Sequence, residues 1–170
     1  MKKYLFLILI LSGAGVWWAQ DVRHRVSDTA PAAVVGTVKP DSPYVEINGV
    51  EIPVEVVKTQ AEVEKGLSGR ASLDSKRGML FIFSQPDYYR FWMPDMNFPI
   101  DIIWINENQI VGISQDVSNE FDPTNPKFYT PPRPADRVLE VNAGFAVGND
   151  IKVGDSIIFN NGPNHPTDPN

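Results

Sequence analysis

Three carboxylates in this chain lie among apolar residues, where an acidic side chain can carry acid–base chemistry. Asp101 lies in the run PIDII, Glu140 in VLEV, and Asp95 in a run rich in aromatic and methionine residues. A partly buried, unpaired carboxyl group has a raised pKa and can act as a general acid or base. Asp101 and Glu140 are therefore the candidate catalytic residues. The structural alternative is that Asp101 caps a turn and that Glu140 pairs with Arg70 or Arg77.

The run FWMPDMNFPID at positions 91–101 is the second feature with chemical potential. Small-molecule pockets combine apolar and aromatic walls with a few polar groups. Trp92, Met93, Asp95 and Asp101 are therefore candidate ligand-binding residues. The alternative is core packing, which we favour for Phe91 and Met93 because they share one face of a predicted strand, whereas Trp92 faces the other way.

Arg70 ends the glycine-flanked segment GLSGR and is the remaining ligand-binding candidate. Its planar guanidinium can bind a carboxylate or phosphate through two parallel hydrogen bonds. The alternative is an internal salt bridge to Asp74, Asp101 or Glu140.

Neither a metal site nor a cofactor is predicted. The two histidines, His24 and His165, lie outside the patterned part of the chain, and the sequence has no cysteine. The usual zinc, copper and haem ligands and the Ser-His and Cys-His catalytic pairs are therefore missing from that part. No dense Asp-x-Asp-x-Asp loop supports Ca²⁺ or Mg²⁺, and no glycine-rich phosphate loop is present.

The N-terminus predicts export. Two lysines precede an apolar stretch that ends at Ala19, and such a pattern is typical of a secretory signal. Trp17 and Trp18 are bulky for a cleavage site, so an uncleaved membrane anchor is the alternative. We expect an extracytoplasmic protein, in the periplasm or cell envelope, whose contact with a membrane is limited to residues 1–19. Without cysteine, neither a lipidated cysteine anchor nor a disulfide can form.

Four segments follow from the composition. Residues 1–19 are the signal or anchor, 20–43 a flexible tether, 44–160 one β-rich domain, and 161–170 a disordered tail. The net charge of −6 argues against nucleic acid as a partner. A small ligand or another envelope protein remains as the expected partner.

The pattern of the domain predicts a mainly β, α+β fold: a small barrel-like or curled antiparallel sheet with one short helix. Alternating residues on both sides of Asn48-Gly49 predict a tight hairpin. Thr59 and Glu62 form a capping-box pattern for a helix that ends at about Lys65. Further strands are predicted at 78–83, 89–93, 100–105, 109–114, 137–141 and 155–159.

Five ordered blocks resemble one known family. They are GLSGR at 66–70, RGMLFIF at 77–83, FWM with PID between 91 and 101, VLEVNAG at 138–144, and Gly154-Asp155. Together they resemble the domain of unknown function 192 (DUF192) family over about residues 52–159. The resemblance implies a compact β-rich domain, often exported, with no established activity. Departures are Ser68, where methionine is commoner, and PDM at 94–96, where a Lys-Asn-Thr-like run is commoner.

Three functions are compatible with these residues. The first is a non-catalytic binding or accessory domain in which Arg70, Trp92 and Asp101 line one cleft and the proline-rich loop 119–134 closes over it. The second is an enzyme that uses Asp101 and Glu140 as an acid–base pair on an envelope saccharide. The third is a module that docks a protein partner through an exposed apolar face.

Overall fold

The structure is a computed structural model of the 170-residue chain and describes residues 42–162. The predicted signal or anchor, nearly all of the tether, and the tail beyond residue 162 lie outside the described residues. Between residues 42 and 162, no helix has the length and apolar character needed to cross a membrane.

The described domain is a seven-stranded sheet with two short helices. Five of its six strand pairings are antiparallel, and β2 and β3 run parallel. The strand order is β5-β4-β6-β3-β2-β1-β7. The elements are β1 (Tyr44–Ile47), β2 (Val50–Val57), α1 (Gln60–Lys65), β3 (Gly78–Asp87), β4 (Ile100–Asn106), β5 (Gln109–Val117), β6 (Ala135–Asn142), α2 (Phe145–Gly148) and β7 (Ile157–Asn160).

The predicted hairpin and helix are confirmed. Asn48 and Gly49 have φ angles of 53° and 78°, as a two-residue hairpin turn requires. At α1 the Thr59 side chain accepts a hydrogen bond from the Glu62 amide, and the Glu62 carboxylate accepts one from the Thr59 amide. Gly66 ends the helix with a positive φ of 46°.

Three local features differ from the predictions. The link through α1 is long enough to bring β3 back parallel to β2, so the sheet is not purely antiparallel. Helix α2 was not predicted, because four residues are too few to show a helical period. The predicted strand 89–93 was wrong: only Phe91 pairs, in an isolated bridge with Tyr129. Pro94 lacks the amide hydrogen that a longer ladder would need.

The sheet curls until its two edge strands meet, because Gln109 at the start of β5 forms a bridge with Ser156 beside β7. One apolar cluster therefore receives side chains from all seven strands. Val45, Ile52, Leu80, Ile103, Leu139 and Ile157 are among its buried members. Non-directional burial of this kind stabilises the curl, by about 1.5–3 kcal/mol for each large aliphatic side chain.

A second apolar cluster lies on the opposite, outer face of β2, β3, β4, β5 and β6. Irregular segments cover it, and they contribute Leu67, Met93 and Met96 to the strand residues Met79 and Phe81. The prediction that Met93 packs as core is confirmed. The sheet therefore has apolar residues on both faces, and the covering segments form the site described below.

Gly112 on β5 provides a test of how tightly this covering packs. A Cβ atom at Gly112 would lie 2.4 Å from Cδ of Pro132 and 3.2 Å from Cδ1 of Trp104. Because the proline ring cannot swing away, Gly112→Ala is expected to lower the free energy of unfolding by about 2 kcal/mol, measured by urea denaturation. Gly148→Ala is the control, since a Cβ atom at that position would meet no other atom within 4 Å. Equal stabilities of the two variants would contradict the packing.

Candidate functional site

Glu140 is the buried carboxylate of the outer face. Strand pairing aligns Glu55, Met79, Glu140 and Ile102 in one row across β2, β3, β6 and β4. Directly paired residues project to the same side of a sheet, so the Glu140 side chain points under the covering segments. It retains only 6% of its accessible surface.

A pocket of about 230 Å³ opens above Glu140. The apolar part of its lining consists of Leu67, Phe81, Phe91, Met93 and Met96. Glu140 also lines the pocket. Its outer part includes Gln60, Glu64 and Lys65 from α1, and Arg90 and Trp92 from the segment before the turn. A depression that combines apolar and aromatic walls with a few polar groups has the composition expected of a small-ligand site.

Hydrogen bonds fix the two segments that form this pocket. Pro94 and Asp95 are the central residues of a turn that places Met93 and Met96 at its two ends, and Asp95 has a positive φ of 54°. The Ser68 hydroxyl donates to the Pro94 carbonyl over 2.8 Å. The Gly69 amide donates to the Asp95 carbonyl, also over 2.8 Å. The GLSGR segment therefore holds the methionine turn over the sheet.

The environment of Glu140 disfavours its charged form. Burial raises the pKa of its carboxyl to about 8, and the positive charge of Arg70 opposes that rise only in part. No residue within 42–162 donates a hydrogen bond to this carboxyl. Arg70 instead makes two hydrogen bonds of 2.8 Å to Glu55, which lower the pKa of Glu55. At neutral pH the pocket therefore contains a predominantly neutral carboxylic acid.

An exposed aromatic patch adjoins the pocket. Trp92 is 49% exposed, and its ring stacks on Phe128 at 5.8 Å with 10° between the ring planes. The Arg90 guanidinium lies 4.0 Å from the centre of the other exposed ring, Phe128. The proline-rich loop reaches this place because Phe91 and Tyr129 exchange two backbone hydrogen bonds of 2.9 and 2.8 Å.

Asp101 lies on the opposite side of the sheet. Asp101 is paired on β6 with Val141, which belongs to the first apolar cluster, inside the curl of the sheet. The next residue, Ile102, is paired with Glu140 and faces outward. The Asp101 carboxylate is fully buried and accepts hydrogen bonds from the amides of Asp116, over 2.8 Å, and Ala146, over 3.0 Å. It thereby connects β4 to β5 and to the first turn of α2.

A comparison of the sequence with models of known protein families assigns this chain to a family. The family model DUF192, described as an uncharacterized ACR, matches residues 44–159, well over half of the chain. The chain belongs to the DUF192 family.

Two solved structures are similar to this chain. A protein of unknown function from Novosphingobium aromaticivorans DSM 12444 is 30% identical, with a TM-score of 0.61, over 68% of this chain and 83% of that one. A candidate transcription regulator from Sinorhizobium meliloti 1021 is 23% identical, with a TM-score of 0.61, over 69% and 91% of the two chains. The second likeness concerns the fold alone. No curated protein matches this chain.

The DUF192 domain brings some of the predicted site residues together and separates others. Trp92, Met93 and Glu140 line one pocket. Arg70 lies beside it, paired with Glu55 rather than with a predicted acidic partner. The Asp95 side chain is exposed and does not line the pocket, and Asp101 lies across the sheet. The geometry therefore gives Asp101 and Glu140 no common substrate position.

The sequence analysis missed most of the lining of the pocket in this DUF192 domain, including Phe81 and Arg90. Phe81 belongs to a continuous apolar strand, where nothing in the sequence distinguishes core from pocket wall. Arg90 precedes the aromatic run, and its charge beside Phe91-Trp92 was an available signal for a rim residue. Within the described range, no three His, Cys, Asp or Glu side chains are grouped closely enough to hold a metal ion.

Proposed function

We propose that this DUF192 protein is a non-catalytic binding domain that acts outside the cytoplasm and holds a small ligand in the pocket above Glu140. One observation carries the proposal: Glu140, a residue that is 6% exposed, lines a pocket of about 230 Å³, and no residue among 42–162 donates a hydrogen bond to its carboxyl group. A buried polar group without a partner costs free energy that a bound ligand can recover.

The placement of Asp101 favours binding over the two-carboxylate reaction. Glycoside hydrolysis needs two carboxyl groups on either side of one scissile bond. In this domain the sheet separates Asp101 from Glu140, and backbone amides already occupy both oxygens of Asp101. Glu140 acts in the proposal as a recognition group, with Trp92 and Met93 as walls.

Action outside the cytoplasm is supported by the sequence. Residues 1–19 have the charge and length pattern of an export signal, and a domain without cysteine needs no particular redox environment. The test is a β-lactamase fusion behind residue 162 in a Gram-negative host. Ampicillin resistance is expected for the full chain and loss of resistance when residues 1–19 are deleted; resistance without them would contradict export by this segment.

Ligand binding is tested by the melting temperature of the purified protein in the presence of envelope sugars, peptidoglycan fragments, small acids and small amines. A ligand that binds only the native state raises the melting temperature. A rise that Glu140→Gln removes would support the pocket, and no response across the panel would overturn the proposal.

Trp92→Ala is expected to weaken the binding of such a ligand at least tenfold, because the ring forms one wall of the pocket. Its effect on the free energy of unfolding should remain below about 1 kcal/mol, since the side chain is half exposed. Tyr88→Ala is the control: Tyr88 is an exposed aromatic residue of similar exposure that does not line the pocket. A collapsed fold in Trp92→Ala would show that Trp92 is a core residue instead.

A second candidate function, docking of an envelope protein, is favoured by the aromatic patch. Trp92 and Phe128 are 49% and 40% exposed and stack on each other, and exposed aromatic groups of this kind are enriched at interfaces. A photo-crosslinking residue at Phe128 should then capture one protein in cells, and one at the exposed Ile158 on β7 should not. Equal capture at both positions would contradict a specific interface.

A further inference from the structure

Two aromatic rings, Phe81 and Phe91, line the inner part of the pocket. Phe81 and Phe91 meet edge to face at 5.1 Å between ring centres, and Trp92 also lines the pocket. The face of an aromatic ring carries partial negative charge and attracts a cation within about 6 Å of the ring centre. The thioethers of Met93 and Met96 add soft, polarizable walls that accept an alkyl group.

The charges around Glu140 leave it without a neutralising partner. Arg70 is the cation that opposes the pKa rise of Glu140, yet both of its terminal nitrogens bind Glu55. Arg90 lies over the Phe128 ring. Glu64 and Lys65 are exposed at the mouth of the pocket, where water screens their charges. Within the described chain, no positive group forms a salt bridge with Glu140.

We propose that the pocket takes an alkylammonium group, whose positive charge lies against Glu140 and whose alkyl substituents contact Phe81, Phe91 and the two methionines. A cage of aromatic rings with one carboxylate is a recognition pattern for substituted ammonium ions. The volume of about 230 Å³ is several times the roughly 30 Å³ that a water molecule occupies in the liquid. This inference rests on the proposed function and names the class of its ligand.

The proposal has a characteristic pH dependence. A cation pairs with the ionised form of Glu140, but burial raises the pKa of this carboxyl to about 8. Binding therefore releases a proton at lower pH, and the affinity falls by about tenfold for each pH unit below 8. The other charged groups that line the pocket, Glu64, Lys65 and Arg90, are exposed, and Arg70 beside the pocket is paired with Glu55.

The test compares choline with 3,3-dimethylbutan-1-ol, in which a carbon atom replaces the positive nitrogen without changing the shape. Isothermal titration of the purified protein at pH 8.5 should show choline binding at least about tenfold more tightly than the neutral alcohol. Propylamine is the second cation and distinguishes a preference for substituted ammonium from a preference for any amine. Affinity for choline should fall between pH 8.5 and pH 6.5, with protons released into the buffer.

Two variants test whether Glu140 is the carboxylate that binds choline. Glu140→Gln keeps the shape of the side chain and should lose at least about tenfold in choline affinity together with the pH dependence. Glu51→Gln removes an exposed carboxylate outside the pocket lining and should change the affinity less than about twofold. Their melting temperatures, measured in the same samples, show that both variants are folded.

Each outcome gives a decision. Equal affinity for choline and the neutral alcohol, or an unchanged affinity in Glu140→Gln, would overturn the ammonium assignment and leave the proposed binding function standing. Binding of Ag(I) that requires Met93 and Met96, with no response to either amine, would replace it with a soft-metal site. If neither these probes nor the wider panel bind, the proposed function itself fails.

Discussion

Glu140→Gln is expected to stabilise the domain above pH 7 and to remove most of the dependence of its stability on pH. Burial raises the pKa of Glu140 to about 8 in the folded state, whereas an exposed glutamate has a pKa of 4.5. Between these values the folded state binds a proton that the unfolded state has released. The wild-type stability is therefore complete below pH 4.5 and declines as the pH rises toward 8, by at most about 5 kcal/mol.

Urea denaturation at pH 5 and pH 9 measures this effect. Wild type and Glu140→Gln should have similar free energies of unfolding at pH 5, where the glutamate is neutral in the folded state. The variant should be more stable at pH 9, because glutamine carries no charge into the buried site. Glu64→Gln, at an exposed position, should follow the wild type at both pH values. A wild-type curve parallel to that of Glu140→Gln would contradict the shifted pKa.

Asp101→Asn is expected to lower the free energy of unfolding by about 3 kcal/mol. The two Asp101 oxygens accept hydrogen bonds from the amides of Asp116 and Ala146 in a fully buried site. Asparagine has one acceptor oxygen, so its NH₂ group must face one of these amide donors. The loss combines a charge-assisted hydrogen bond with the desolvation of an unsatisfied amide.

Denaturation of Asp101→Asn at pH 7 tests this role against a matched variant. Asp116→Asn changes an exposed side chain but keeps the backbone amide that binds Asp101, and asparagine tolerates the positive φ of 48° at this position. We expect a change of less than about 0.5 kcal/mol for Asp116→Asn. If Asp101→Asn were as stable as Asp116→Asn, the two buried hydrogen bonds would not contribute to the fold.

The strand faces around the site could be predicted because side-chain direction alternates along a strand. This alternation separates Asp101 from Ile102 and assigns Phe91 and Met93 to one side and Trp92 to the other, before any tertiary contact is known. Phe91 and Met93 do contact the outer cluster, and Trp92 is exposed, although residues 89–93 do not form the predicted strand and only Phe91 pairs there. The hairpin and the capped helix were predictable because the interactions that form them join residues only a few positions apart in the sequence.

Pairing between distant segments could not be predicted. Whether Asp101 and Glu140 share a face depends on the register between β4 and β6, which joins Ile102 rather than Asp101 to Glu140. A shift of one residue would have placed both carboxylates on the same side. The partner of Arg70 was equally open, since Glu55 on β2 comes close only when the segment after α1 folds back over the sheet.

The sequence by itself determined the family, the β-rich architecture, the hairpin and the capped helix, because ordered motifs, local periodicity and turn chemistry specify these features. It also nominated Trp92, Met93 and Glu140 as candidate site residues. The tertiary structure alone decided that Glu140 lies beneath a pocket, that Asp101 is bound by backbone amides on the opposite face, and that Arg70 pairs with Glu55. These outcomes depend on strand register and on the burial of groups distant in the chain. Burial and charge pairing set the chemistry of a carboxylate, and neither is a property of its neighbours in sequence.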